Sequence, residues 1–159
     1  MKTTTLTRAL AVATITLAAV TLSGCSILSS ILSAGGPVQL KVGDCIDGAV
    51  INEDGSAEEV TTIDCGTLHE EEVYVVTTID LDEFPGDDAL YEQGSELCVD
   101  AYEDFVGLAY EDSLLNFWVR YPSEETFDLG DRQIVCSISK FDADGEMVKV
   151  TGTLKDSQE

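Results

Sequence analysis

Pro85-Gly86-Asp87-Asp88-Ala89-Leu90-Tyr91-Glu92-Gln93-Gly94-Ser95-Glu96-Leu97-Cys98-Val99-Asp100-Ala101-Tyr102-Glu103-Asp104-Phe105 is the stretch that decides the fold. Pro-Gly interrupts whatever precedes it, and Asp87 or Asp88 can then cap a helix running to about Phe105. Leu90, Leu97, Cys98, Ala101, Tyr102 and Phe105 share one face at helical spacing, while Glu92, Glu96, Asp100, Glu103 and Asp104 share the other. The aromatic residues of the apolar stripe read as core, packed against another layer, rather than as a ligand box.

The flanking sequence supplies that layer as strands. Residues 38–42 read as a short strand ending at Gly43, and residues 49–52 and 60–64 as the arms of a hairpin about Asp54-Gly55. Residues 72–79 are rich in Val, Thr and Tyr, which suits a pleated, half-buried surface. Beyond a loop at Gly107, residues 114–121 form a strand stopped by Pro122, and residues 133–141 form another. Asp142-Ala143-Asp144-Gly145 is a turn, residues 146–154 return as the last strand, and residues 155–159 are expected to fray. The expected fold class is α+β: an antiparallel sheet with one main amphipathic helix and two disulfides.

The N-terminus reads as an export signal. Lys2 and Arg8 precede an uncharged apolar run, residues 9–22, and then Leu22-Ser23-Gly24-Cys25. The run is shorter than the ~20 residues of a bilayer span. Leu-Ser-Gly-Cys is the bacterial lipobox pattern. Residues 1–24 are therefore expected to be cleaved, and Cys25 to carry acyl chains of the palmitate type. Two chains anchor stably where one does not. Residues 26–36, Ser- and Gly-rich, form a tether of ~18 Å if it behaves as a coil. The folded domain spans residues 37–155, with a tail at 156–159. The expected location is the extracytoplasmic side of the cell membrane.

The remaining cysteines are Cys45, Cys65, Cys98 and Cys136, an even number in an exported domain. Of the three possible pairings, Cys45–Cys65 with Cys98–Cys136 ties neighbouring elements. A zinc site would want close C-x-x-C pairs, which the sequence lacks.

The chain carries 31 Asp and Glu against eight Lys and Arg, a formal charge of -23. Both Lys2 and Arg8 leave with the signal peptide, so six bases remain and the mature charge is -25. Nucleic-acid binding needs a basic patch and is not expected. Anionic headgroups would repel the domain itself. The acids either keep the surface solvated or select a cationic partner or divalent ions.

His69 is the sole histidine. Beside Glu70, Glu71 and Glu72 it could serve as a base or ligand, although a lone His before a strand is more often a hydrogen-bonded structural residue. No serine sits in a G-x-S-x-G context, and after lipidation and pairing no thiol nucleophile remains. Asp142-Ala143-Asp144-Gly145-Glu146 lacks the spacing of an EF-hand loop. In Gly130-Asp131-Arg132, Gly permits a positive φ, Asp131 can satisfy backbone N–H groups, and Arg132 can pair with a nearby acid or hold a partner's carboxylate. Candidate binding residues are thus His69, Glu72, Asp131 and Arg132. No catalytic residue, metal or cofactor is expected.

Val42-Gly43-Asp44-Cys45, Asp64-Cys65 with His69 and Glu72-Val73, Pro85-Gly86, Cys98, Pro122-Ser123, Gly130-Asp131-Arg132, Cys136 and Thr151-Gly152-Thr153-Leu154 form an ordered set. That set resembles the septum-formation family of actinobacterial envelope proteins, over about residues 38–155. The family pattern usually has Trp where Phe127 stands and Pro where Leu68 stands. The resemblance implies a secreted or membrane-attached domain linked to cell division, with no reaction attached. The first expectation is a non-enzymatic binding or scaffolding lipoprotein whose partner is an envelope or division protein. The alternatives are a ligand-binding lipoprotein and an envelope hydrolase using His69, which a polar pocket joining His69 and Asp131 would favour.

Overall fold

The structure is a computed structural model, and it describes residues 37–51 and 57–159. The expected signal peptide 1–24, the expected lipid site Cys25, the expected tether 26–36 and the expected Asp54-Gly55 turn lie outside the described residues.

The described elements are β1 (Cys45–Ile51), β2 (Ala57–Ile63), β3 (Glu71–Thr78), α1 (Asp87–Val106), a 3-10 turn (Tyr110–Asp112), β4 (Leu115–Arg120), α2 (Glu124–Asp128), β5 (Gln133–Phe141) and β6 (Met147–Val148). Antiparallel pairing gives the order β2-β1-β3-β5-β4, with β6 paired to the end of β5. This is the α+β architecture with one main helix that the periodicities indicate. None of the described helices is long and apolar enough to cross a membrane.

One face of the sheet carries α1. Leu90, Gly94, Cys98, Tyr102 and Val106 are its buried residues, a row repeating every fourth position. They pack with Tyr74, Leu115, Cys136, Ile138 and Leu154, and toward the helix start with Ile79, Phe127 and Ile134. Fully burying a side chain of this size contributes ~1.5–3 kcal/mol. Tyr74 donates to the Cys98 carbonyl at 2.8 Å and Tyr102 to the Leu115 carbonyl at 3.1 Å, so neither phenol is buried without a partner. Burial pushes both phenols above their ordinary range. The opposite face holds a smaller core of Leu40, Ile46, Val73 and Val135.

The helix starts differently from the expected cap. Gly86 is the N-cap and makes no side-chain bond, and Asp87 and Asp88 lie in the first turn, where their charge suits the dipole. At the other end Gly107 donates to the Glu103 carbonyl at 2.8 Å. The last turn holds no base; its carbonyls are met by the chain end instead. Asp156 N–H donates to Phe105 O at 2.8 Å and Gln158 N–H to Val106 O at 3.0 Å. Residues 155–159 are thus a helix cap rather than a frayed tail, held further by the Lys140–Glu159 ion pair at 2.6 Å.

Two other expectations are corrected, and one element is added. Residues 38–42 form no strand, because Leu40 pairs with a side chain in place of a strand. Its N–H donates to Gln133 Oε1 at 3.1 Å, and Gln133 Nε2 donates to its carbonyl at 3.2 Å. The last strand shrinks to Met147–Val148 plus a single bridge, His69 with Val150. The segment after Pro122 forms α2, capped by Ser123, whose Oγ accepts from Thr126 N–H at 3.2 Å.

Both disulfides pair as expected. Cys45–Cys65 joins the start of β1 to the segment after β2, with Cα atoms 5.3 Å apart; Cys98–Cys136 joins the middle of α1 to β5 at 5.6 Å.

Candidate functional site

The residues that the sequence offered for chemistry are spread across the molecule, and each is tied into the fold. His69 is buried completely. Its backbone exchanges two bonds with Val150, at 3.0 and 2.9 Å, and its Nδ1 lies 2.9 Å from the Thr67 carbonyl. A carbonyl only accepts, so Nδ1 carries the proton. Nε2 has no hydrogen-bond partner. Glu72 is buried on the other side of the strand from Glu71. It accepts from Thr153 Oγ1 at 2.7 Å and from Leu154 N–H at 2.6 Å. It thereby pins Thr151-Gly152-Thr153-Leu154 to β3.

Gly130 takes φ +94, in the region Gly enters freely, and leads into Asp131, which accepts from Gln133 N–H at 3.1 Å. Burial raises the Asp131 pKa, opposed by its backbone hydrogen bonds and by Arg132. Arg132 forms no salt bridge among the described residues. It donates to the Phe127 and Asp131 carbonyls, and its guanidinium sits over the Phe127 ring, 3.4 Å from the centroid. Phe127 thus offers a π face to the Arg132 cation.

His69 and Asp131 do not converge. Along the β3–β5 ladder, Glu71 faces Ser139 at one end and Thr78 faces Gln133 at the other. At ~3.3 Å per residue the two side chains are separated by more than ~20 Å of strand.

Sequence reasoning missed a buried polar cluster on the sheet face away from α1. Arg120 Nη2 donates to Glu71 Oε1 at 2.8 Å, with the two side chains 9% and 7% exposed. Arg120 Nη1 also donates to Ser137 Oγ, which in turn donates to Glu71 Oε2. Arg120 Nε is buried without a partner. Next to it, Trp118 Nε1 donates to Ser139 Oγ at 2.8 Å, and the indole remains 42% exposed. The alternation Ser137-Ile138-Ser139 was the available signal: two polar residues on one face of an otherwise apolar strand. Removing one partner of such a pair leaves a buried charge and costs about 3–5 kcal/mol.

The outer side of α1 faces solvent. Glu92, Glu96, Asp100 and Glu103 are exposed, with Tyr91 and Val99 among them. Ser95, Glu96, Val99 and Asp100 line an open, shallow hollow. Asp142 is engaged as a turn residue, accepting from Asp144 and Glu146 N–H at 2.9 and 3.0 Å. Asp64 does the same for Gly66 at 2.8 Å, and Asp44 for Lys41 at 2.9 Å.

Together these features define a disulfide-stapled α+β domain. Its recurrent Asp, Ser and Glu residues close turns and lock its last segment to its central strand, leaving an acidic helix outside. The chain belongs to the septum-formation family, whose profile matches residues 42–159. No curated protein and no solved structure matches it.

Proposed function

We propose that this protein is a non-enzymatic binding or scaffolding module. In this reading, lipid on Cys25 holds it at the outer face of a cell membrane, it acts where the septum forms, and it docks a basic partner protein on the outer side of α1. One observation carries the reading. Glu72, Asp131 and Arg132 spend their polar groups on closing the fold, and His69 is buried completely with its Nδ1 bonded to the Thr67 carbonyl, while the acids of α1 face solvent along one surface. A surface of one sign speeds encounter with the opposite sign and rejects its own. Family membership supports the link to septum formation.

The test is a deletion strain complemented with variants. Glu96→Lys combined with Glu103→Lys loses function although the protein stays folded and anchored. A folded His69→Ala or His69→Gln chain keeps function. The opposite pair of results overturns the reading in favour of a reaction at His69. Partner binding weakens with added salt, since screening acts over ~8 Å at physiological strength.

A further inference from the structure

We infer that the outer edge of β4 is a docking site for an extended segment of a partner protein, a segment with a β-prone middle and basic residues at both ends. β4 ends the strand order, so among the described residues one side of it is unpaired. The direction of its backbone groups follows from fixed points. Val73 exchanges bonds with Asp44 and Gly43 on the β1 side, so Glu72 bonds to β5 at Ile138. By alternation, Ser137 and Ser139 bond to Trp118 and Asn116 on β4. Leu115, Phe117 and Val119 then point outward. Leu115 agrees: its N–H is met by Ser113 Oγ at 3.1 Å and its carbonyl by Tyr102 Oη. No comparable partner meets the backbone of Phe117 or Val119 among the described residues.

Exposed edges are normally blunted by charge, proline or bulges. The other edge is: the β1–β2 ladder has two register shifts. β4 pairs with β5 without a shift, and residues 114–122 contain no acid in a strongly acidic chain. Trp118 and Leu114 stand 42% and 74% exposed beside it, as an anchor for alternate side chains of an added strand. Acids return at both ends. Glu111 and Asp112 precede the strand, Glu124 and Glu125 follow it, and all four are exposed and outside the salt bridges of the described residues. That arrangement attracts a segment with basic ends and repels a second copy of this chain.

This inference rests on the binding reading, but its test reads the edge alone and leaves the α1 surface untouched. The full chain in detergent is titrated with a synthetic peptide of alternating threonine and valine, with paired lysines at each end. Trp118, the sole tryptophan, reports binding by fluorescence, and amide exchange reports Phe117 and Val119. Binding shifts the emission and slows exchange at those two amides. The same peptide N-methylated at alternate residues, or with glutamates for lysines, binds at least about tenfold more weakly, about 1.4 kcal/mol. Glu111→Lys, Asp112→Lys, Glu124→Lys and Glu125→Lys together reverse the preference toward the glutamate peptide. The inference is overturned if the N-methylated peptide binds equally well, if exchange at Phe117 and Val119 is unchanged, or if those amides become protected by protein concentration alone. Loss of septal function on reversing the α1 charges, with peptide binding intact, would separate the two surfaces.

Discussion

Gly94 sets how close α1 comes to the sheet. A Cβ there would press into Val119 Cγ1 and stand 3.2 Å from Ile134 Cγ2. Alanine is the better helix former by about 1 kcal/mol, but overpacking costs about 1–3 kcal/mol. Gly94→Ala therefore destabilises the domain by about 1 kcal/mol, read as a lower urea midpoint; a higher midpoint would show that the helix can shift outward freely. Asp131 makes a pH prediction. Burial raises its pKa in the folded state, so its contribution favours folding below the unfolded value of about 3.9 and is lost as pH rises through the folded value. Asn keeps an oxygen for Gln133 N–H without the charge. Asp131→Asn thus raises stability at pH 7, and the gain disappears near pH 3; equal midpoint shifts at both pH values would refute this. Some of this scale was legible: the polar chemistry of Gly130-Asp131-Arg132 follows from residue type. The direction of Arg132 was not, since a charge count points to acids while the fold offers it a ring and two carbonyls.

Elements differ in what holds them. The Cys98–Cys136 bridge ties the helix row to β5 across 38 residues, and Cys45–Cys65 spans 20. Each contributes ~3 kcal/mol in the chain-entropy account, the longer loop about 0.5 kcal/mol more. Cys98→Ala with Cys136→Ala is therefore more damaging than Cys45→Ala with Cys65→Ala, measured by paired urea titrations; the reverse order would place the main constraint on β1. Gln133–Phe141 was readable to the residue because it is central and packed on both faces. Residues 38–42 read as a strand on hydrophobicity alone, but hydrophobicity does not say whether a neighbouring backbone is available, and there a glutamine side chain stands in for one. Ser123 and the acids after it were a capping signal for α2, hidden behind the attention that Pro122 draws as a strand stop. The Arg120–Glu71 pair joins residues 49 apart, and no local pattern encodes such a meeting.

On the scale of the molecule, acidity bears on the proposed anchoring. A domain as acidic as this one gains nothing from an anionic membrane surface, so under the proposed reading its residence there would depend on acyl chains at Cys25. Cys25→Ala abolishes labelled-lipid uptake and moves the protein from the detergent phase to the aqueous phase; retention in detergent would show another anchor. The two carboxylates of β3 have a second consequence. Val73-Tyr74-Val75-Val76-Thr77-Thr78 is a short, uncharged, β-prone run, the kind of segment that self-assembles when bare. Glu71 stands at its entrance and Glu72 beside it, and their fixed partners are Arg120 and Ser137, and Thr153 and Leu154. A chain is made from its N-terminus, so β3 emerges long before any of these. Until they arrive both carboxylates are hydrated charges guarding the run. The same two side chains are gatekeepers in the nascent chain and fasteners in the finished one, and the guard is withdrawn only when the residues that make it unnecessary are in place.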